Sequence, residues 1–102
     1  MGFRVVAGAR RDLRSSTDWY QKQSGLGADF VAAVAVAIRR LENDPHSLPS
    51  AENPWPPVGR NIRRSPVEGF PFQVIFEVLS DELVVLAVAH GSRRPGYWRR
   101  RK

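Results

Sequence analysis

The segment FPFQVIFEVLSDELVVLAVAH, residues 70–90, decides the fold of this chain. Every second residue of its first half is apolar and faces one side of a predicted strand: Phe70, Phe72, Val74, Phe76 and Val78. Ser80 and Asp81 form a predicted turn, after which residues 82–90 return as the antiparallel partner. Because both strands carry apolar residues on both faces, we expect helices to cover one side of the sheet and the C-terminus part of the other.

Two segments upstream of this hairpin predict a pair of helices. The first has near-helical spacing at Ala9, Leu13, Thr17 and Tyr20, and the second at Phe30, Val34, Ile38 and Leu41. Gly25 and Gly27 separate them, and Pro45 predicts the end of the second helix because proline disfavours helix in the residue before it. The sequence therefore predicts an αα-hairpin.

The remaining elements are shorter. Residues 3–6 are predicted to form an N-terminal edge strand, and residues 60–65 a short strand that ends at Pro66. Five prolines in residues 45–57 favour an extended surface connection. The order β-α-α-β-β-β predicts an α+β fold, with the N-terminal strand and helical hairpin packed on a small antiparallel sheet.

The positive charge is concentrated at the C-terminus. Residues 1–82 contain ten basic and ten acidic residues, so the net charge of +6 comes from Arg93, Arg94, Arg99, Arg100, Arg101 and Lys102. We therefore divide the 102 residues into a single domain, residues 1–92, and a basic tail, residues 93–102. Arginine pairs well with phosphate and carboxylate, although a solvated tail would have the same composition.

Composition also excludes several classes of site and location. The chain has no cysteine, and its two histidines are far apart in sequence, so we expect no disulfide, metal or cofactor. The longest apolar run, residues 30–38, is well short of the roughly 20 residues that cross a bilayer. We therefore expect a cytoplasmic protein without membrane contact.

Five short motifs are spread along the chain. They are Asp18-Trp19-Tyr20, Gly25-Leu26-Gly27 with Phe30, Leu41-Glu42-Asn43-Asp44-Pro45, Phe70-Pro71-Phe72, and His90 followed by Arg93-Arg94-Pro95 and Tyr97-Trp98. In this order they resemble the RelE/ParE toxin superfamily, and the ending resembles its ParE branch. The resemblance implies the toxin of a type II toxin-antitoxin system, associated with growth arrest and plasmid stabilisation and held inactive in a hetero-oligomer with its cognate antitoxin.

The resemblance leaves the molecular target open. ParE-like members are described as inhibitors of DNA gyrase, whereas RelE-like members are ribonucleases that cut mRNA, usually on the ribosome. Lys22 and Lys102 are the only lysines, so the predicted sheet lacks the lysines of several RelE-like ribonucleases. We therefore expect a gyrase inhibitor rather than an enzyme. A third possibility is an inactive relative that only binds an antitoxin.

A ribonuclease would need a base, an acid and cations for the developing phosphorane charge, but no metal. The candidates for a metal-independent endoribonuclease are Arg63, Arg64, His90, Arg94 and Tyr97. His90 has a structural alternative, since a histidine that closes an apolar strand is more often a hydrogen-bonding residue than a base.

For gyrase inhibition, the predicted target-binding residues are Arg93, Arg94, Tyr97, Trp98, Arg99, Arg100 and Arg101. Tyr97 and Trp98 would stack on nucleic-acid bases, as aromatic residues beside arginines do, or, as we favour, fold back over the sheet. Because residues 98–102 contain four of the six charges that set the net balance, their deletion is expected to reduce toxicity more than folding. The predicted antitoxin-binding residues are Trp19, Arg39, Arg40 and Arg63, facing an acidic antitoxin.

Overall fold

The computed structural model describes residues 2–51, 59–94 and 96–101. It contains β1 (Gly2–Val5), α1 (Ala7–Ser24), α2 (Gly27–Asn43), a 3-10 turn (Pro45–Ser47), β2 (Ile62–Val67), β3 (Phe72–Val78) and β4 (Glu82–His90). The predicted α+β fold and element order are confirmed. The strands form one sheet in the order β1-β4-β3-β2.

The long hairpin predicted from residues 70–90 forms the centre of this sheet. β3 pairs antiparallel with both β4 and β2, while β1 lies at one edge and runs parallel to β4. The pairing of β3 with β4 shifts between Ile75 and Phe76, where Leu86 is the extra residue of a β-bulge. The predicted edge strand at the N-terminus is thus confirmed, and it makes the sheet mixed.

Pro66 does not end β2, which the sequence predicted it to do. β2 continues to Val67, and Pro66 pairs in register with Gln73. Proline lacks an N–H, so a strand tolerates it where that side of the backbone has no ladder partner. β2 lies at the edge of the sheet, which meets this condition.

The two helices form the predicted hairpin through a glycine turn. Gly25 has φ of 69°, a left-handed conformation that suits glycine, and its N–H donates to the carbonyl of Gln21. The hairpin packs on one face of the sheet. Tyr20 of α1 and Phe30 of α2 stack at 5.1 Å between ring centroids, and both contact Phe72 of β3.

The second face of the sheet is also apolar. Ile75 alternates with the helix-facing residues of β3 and is 4% exposed, although both helices lie on the opposite face. Ile62 and Val84 both pair in register with Glu77 on this second face, and both are buried. Some other part of the chain must therefore cover it.

The connection between α2 and β2 is only partly within the described residues. An isolated bridge pairs Ser50 with Arg63, and the N–H of Ala51 donates to the carbonyl of Ile62. Residues 52–58 of the predicted proline-rich connection lie outside the described residues. No helix in the described part of the chain is long and apolar enough to cross a membrane.

Candidate functional site at the C-terminal segment and the adjoining cleft

Residues 91–94 and 96–101, here termed the C-terminal segment, fold back on the sheet. Trp98 is only 5% exposed and belongs to the hydrophobic core. A series of tight turns shapes the segment, with N–H to carbonyl bonds from Arg93 to His90, Arg99 to Gly96 and Arg101 to Trp98, each at 3.0 Å. The preference for Trp98 folding back over the sheet is confirmed. The predicted boundary between the domain, residues 1–92, and the basic tail therefore reflects the distribution of charge and not the packing of the chain.

Arg60 anchors this segment to the second face of the sheet. Its guanidinium forms a bidentate ion pair with Glu77 at 2.9 and 2.7 Å, and its Nη1 donates to the carbonyl of Arg99 at 2.7 Å. The hydrogen bonds to Glu77 raise the pKa of Arg60, partly opposed by desolvation. Sequence reasoning missed Arg60, because nothing in its neighbourhood distinguishes it from the other arginines.

Asp12 of α1 also anchors the segment, through Tyr97 and Arg101, which lie two residues before and after Arg99. Its carboxylate accepts hydrogen bonds from Arg101 at 2.7 and 3.3 Å, from the Tyr97 hydroxyl at 3.0 Å and from the Val88 N–H at 3.1 Å. Burial, and then the negative charge of Asp12, raise the pKa of Tyr97 to about 12. Tyr97 is therefore a protonated donor at neutral pH.

Sequence reasoning also missed Asp12. The available signal is that it is the only acidic residue among Arg10, Arg11 and Arg14 in the first half of α1. A lone carboxylate in a basic helix is notable, but its partner is 89 residues away in sequence, so no local pattern could identify Arg101.

Three of the predicted target-binding arginines remain on the surface. Arg93, Arg94 and Arg100 are exposed, and the guanidinium carbon of Arg93 lies 4.0 Å from the centroid of the Tyr97 ring. Arg99 is half-buried. Trp98 and Arg101, by contrast, contribute to internal packing, so their predicted role in direct target contact is not supported by their positions.

A cleft of about 490 Å³ adjoins the segment. It lies between α1 and the end of β4, and its lining consists of Ser15, Ser16, Trp19, Tyr20, Pro71, Phe72, His90, Ser92 and Arg93. Trp19 is 58% exposed, whereas Tyr20 packs on the core, as expected for adjacent helix positions. The fold therefore places a predicted antitoxin-binding residue, Trp19, beside a predicted target-binding residue, Arg93.

His90 stabilises the turn at the end of β4. Its Nδ1 accepts hydrogen bonds from the N–H of Ser92 at 2.9 Å and, with the tautomer that leaves Nδ1 unprotonated, from the Ser92 hydroxyl at 2.7 Å. Its ring meets Phe72 edge-on at 4.9 Å. These contacts support the expectation that His90 is a hydrogen-bonding residue rather than a general base.

The five ribonuclease candidates do not converge. Arg63 pairs in register with Phe76 and His90 with Phe72, on opposite sides of β3. From strand geometry this separates their backbones by roughly 10 Å across the sheet and about 13 Å along it. The distance is too large for a shared active site built with His90, Arg94 and Tyr97.

Arg63 and Arg64 instead bind the connection that precedes β2. Arg63 donates to the carbonyls of His46 and Leu48 at 2.9 and 2.7 Å, and Arg64 donates to the carbonyl of Ser50 at 3.3 Å. These bonds give backbone carbonyls of the connection partners within the chain. Both arginines therefore act here as structural braces, and Arg63 has little capacity left for an antitoxin.

The other predicted antitoxin-binding arginines lie near the end of α2. Arg39 and Arg40 are exposed, and Arg40 forms an ion pair with Glu68 at 2.6 Å. Within the described residues, no group of three or more histidine, aspartate or glutamate side chains is placed to hold a metal ion.

Comparisons with known proteins agree with the fold and the motifs. The family model for the ParE toxin of the type II toxin-antitoxin system, parDE, matches residues 4–95. A solved structure described as the chromosomal ParDE TA system from P. aeruginosa is similar at 20% identity and a TM-score of 0.73, over 88% of this chain and 95% of that one. No curated protein matches significantly. Because the family model covers most of its length, this chain belongs to the ParE toxin family of type II toxin-antitoxin systems.

Proposed function

We propose that this chain arrests growth by inhibiting DNA gyrase, and that a cognate acidic antitoxin neutralises it. The family match over residues 4–95 carries the proposal. The proposed target would place the toxin in the cytoplasm.

The C-terminal segment and the cleft beside it are the proposed target-binding surface. Arg93, Arg94 and Arg100 are exposed there, while the nearby Arg101 is neutralised by Asp12. Among the described residues none of these three forms an ion pair with a carboxylate, so their guanidinium groups are available for carboxylates or phosphates of another macromolecule. The scattered positions of the five ribonuclease candidates favour this reading over mRNA cleavage.

A direct test compares two readouts of the same protein. Purified chain is added to gyrase and relaxed plasmid, and in parallel RNA ends are mapped in bacteria that express it. We expect supercoiling to be blocked while transcripts stay intact. New transcript ends without an effect on supercoiling would instead establish the ribonuclease mechanism, and neither effect would indicate an inactive antitoxin-binding relative.

A matched pair of arginine variants separates target binding from antitoxin binding. Arg94→Gln removes an exposed charge from the C-terminal segment, and Arg39→Gln removes one from α2. We expect Arg94→Gln to weaken gyrase inhibition and Arg39→Gln to weaken binding of the antitoxin encoded beside the toxin gene. If Arg94→Gln inhibits as well as the unaltered chain, the proposed surface is wrong.

The antitoxin interaction is expected to depend on salt. A basic surface attracts an acidic partner through charges that are exposed at its rim, and such interactions weaken as ionic strength rises. Titration calorimetry with the adjacent gene product at low and high salt measures this dependence. Binding that is equally tight at both would point to an apolar interface instead.

A further inference from the structure

Within the described residues, β1 pairs with only the first four residues of β4 and leaves the rest of that edge without a partner strand. β1 pairs with β4 only from Glu82 to Val85, after which the chain leaves the sheet to begin α1. β4 continues to His90, so within the described residues the outer backbone groups of its second half have no neighbouring strand. Unpaired strand edges are usually covered, because their N–H and carbonyl groups otherwise attract other chains.

Two side chains, rather than a strand, form hydrogen bonds with the outer backbone groups of this part of β4. The N–H of Val88 donates to Asp12, and the carbonyl of Leu86, the extra residue of the β-bulge, accepts a hydrogen bond from Arg101 at 3.0 Å. Asp12 and Arg101 are also bound to each other. Together they supply one acceptor and one donor, as the backbone of a neighbouring strand would.

The ion pair between these side chains is well shielded from water. The side chain of Asp12 is 8% exposed and that of Arg101 is 21% exposed. The Tyr97 hydroxyl donates to the same carboxylate oxygen that accepts from Arg101 Nη1. Removing one member of a shielded pair leaves the other charge without compensation, which is strongly unfavourable.

Gly8 provides the space for Arg101. A Cβ atom at this position would lie 2.4 Å from Nε and 2.6 Å from Cζ of the Arg101 guanidinium. Gly8 is one helical turn before Asp12, so both face the same side of α1. The absence of a side chain at Gly8 thus leaves space for the Arg101 guanidinium next to the Asp12 carboxylate.

We propose that Gly8 and Asp12 form an intramolecular docking site for Arg101, and that Asp12 is a positioning residue for the C-terminal segment. Docking holds residues 96–101 against α1 and the open edge of β4, and it keeps the exposed arginines of the segment in fixed positions. The consequence for gyrase rests on the proposed function, whereas the docking itself does not.

Hydrogen–deuterium exchange of the full chain tests the docking. Asp12→Asn and Arg101→Gln should each increase exchange in residues 96–101 by about tenfold or more, because each breaks the same shielded contact. The double variant should exchange no faster than the more affected single variant, since contacting residues are not additive. Asp18→Asn, which removes an equal charge from an exposed position on the same helix, should leave exchange unchanged.

Gly8→Ala provides an independent test that preserves both charges. Alanine favours helix over glycine, so α1 itself should gain stability. The added methyl group nevertheless occupies the space of the guanidinium, and residues 96–101 should exchange faster. Unchanged exchange in either Gly8→Ala or Asp12→Asn, with the protein folded by circular dichroism, would overturn the docking proposal.

Gyrase supercoiling, measured on the same variants at a temperature where all are folded, tests the positioning role. We expect Asp12→Asn to require about tenfold more protein for half-inhibition, while Asp18→Asn matches the unaltered chain. If Asp12→Asn releases the segment but inhibits equally well, the positioning role is refuted. If the unaltered chain does not inhibit gyrase, the proposed function fails, and the exchange data still decide the docking.

Discussion

The arginines near β2 and those of the C-terminal segment differ in what surrounds them. Arg60 and Arg63 are half-buried and donate to a carboxylate or to backbone carbonyls of their own chain. Arg94 and Arg100, near the C-terminus, are exposed. The same side chain thus stabilises the fold in one region and is available to a partner in the other, depending on whether the fold supplies an acceptor.

The C-terminal segment itself contains both kinds of residue. Trp98 and Arg101 are part of the packed structure, while Arg93, Arg94 and Arg100 between and beside them are exposed. Charge alone does not distinguish a structural residue from a binding residue. Changes that affect stability and changes that affect only binding should therefore alternate along this segment.

Trp98→Ala should have the largest effect on stability. Removing a large buried aromatic side chain costs about 3 to 5 kcal/mol in free energy of unfolding. Urea denaturation measures the loss, and Trp19→Ala serves as a control because Trp19 is 58% exposed. Equal losses for the two variants would mean that Trp98 is not part of the core.

Deletion of residues 98–102 should reduce both toxicity and folding, and not mainly toxicity as the charge distribution suggested. That deletion removes the buried Trp98 and the ion-paired Arg101 together, so any loss of toxicity would be accompanied by a loss of stability. Deletion therefore does not isolate the target-binding surface.

Arg60→Gln should have the next largest effect. It breaks a bidentate ion pair with Glu77 and the hydrogen bond to Arg99, at a cost of about 2 kcal/mol for bonds to charged groups. Arg40→Gln is the control, since its ion pair with Glu68 is exposed and worth less than about 1 kcal/mol. Thermal unfolding of both variants measures the difference, and a loss no larger than that of the control would remove Arg60 as an anchor.

Arg63→Gln should destabilise the chain by about 1 kcal/mol, because it releases the carbonyls of His46 and Leu48. Amide exchange should increase at Ala51, whose N–H bonds to the start of β2. Gyrase inhibition should not change. A selective loss of toxicity with normal stability would instead return Arg63 to the functional surface.

Alkaline pH should weaken the fold through Tyr97. Its pKa is raised to about 12 in the folded chain. The stability that the protonated side chain contributes is therefore fully present below the unfolded pKa of about 10 and is lost as pH rises through the folded value. Since Tyr97 is half-buried, solvent screening reduces the expected loss to less than about 1 kcal/mol from about pH 9 to about pH 11. Urea midpoints at the two values measure it, and Tyr97→Phe should lessen the dependence.

Arg100→Gln should have the smallest effect on stability, less than about 0.5 kcal/mol, because its side chain is exposed. It should nevertheless weaken gyrase inhibition, measured as the concentration for half-inhibition of supercoiling. If Arg100→Gln unfolds as readily as Trp98→Ala, the division of the segment into structural and exposed residues is wrong.

Local patterns were sufficient for most of the fold. The period-2 pattern of residues 70–78 predicted β3, and the near-helical spacing with Gly25 predicted the helical hairpin. Both patterns involve residues that are close together in the sequence, so they can be identified without the tertiary structure. The prediction that Pro66 ends β2 was wrong because the tolerance of a proline depends on whether its strand is at an edge, which is a property of the sheet.

The sequence by itself determined the element order, the concentration of charge at the C-terminus and the family motifs. Only the tertiary structure decided which arginines are structural. Asp12 and Arg101 meet because the C-terminal segment returns to α1 at the open edge of β4, and Arg60 meets Arg99 across 39 residues. An ion pair depends on distance in space, and no local sequence pattern records that distance.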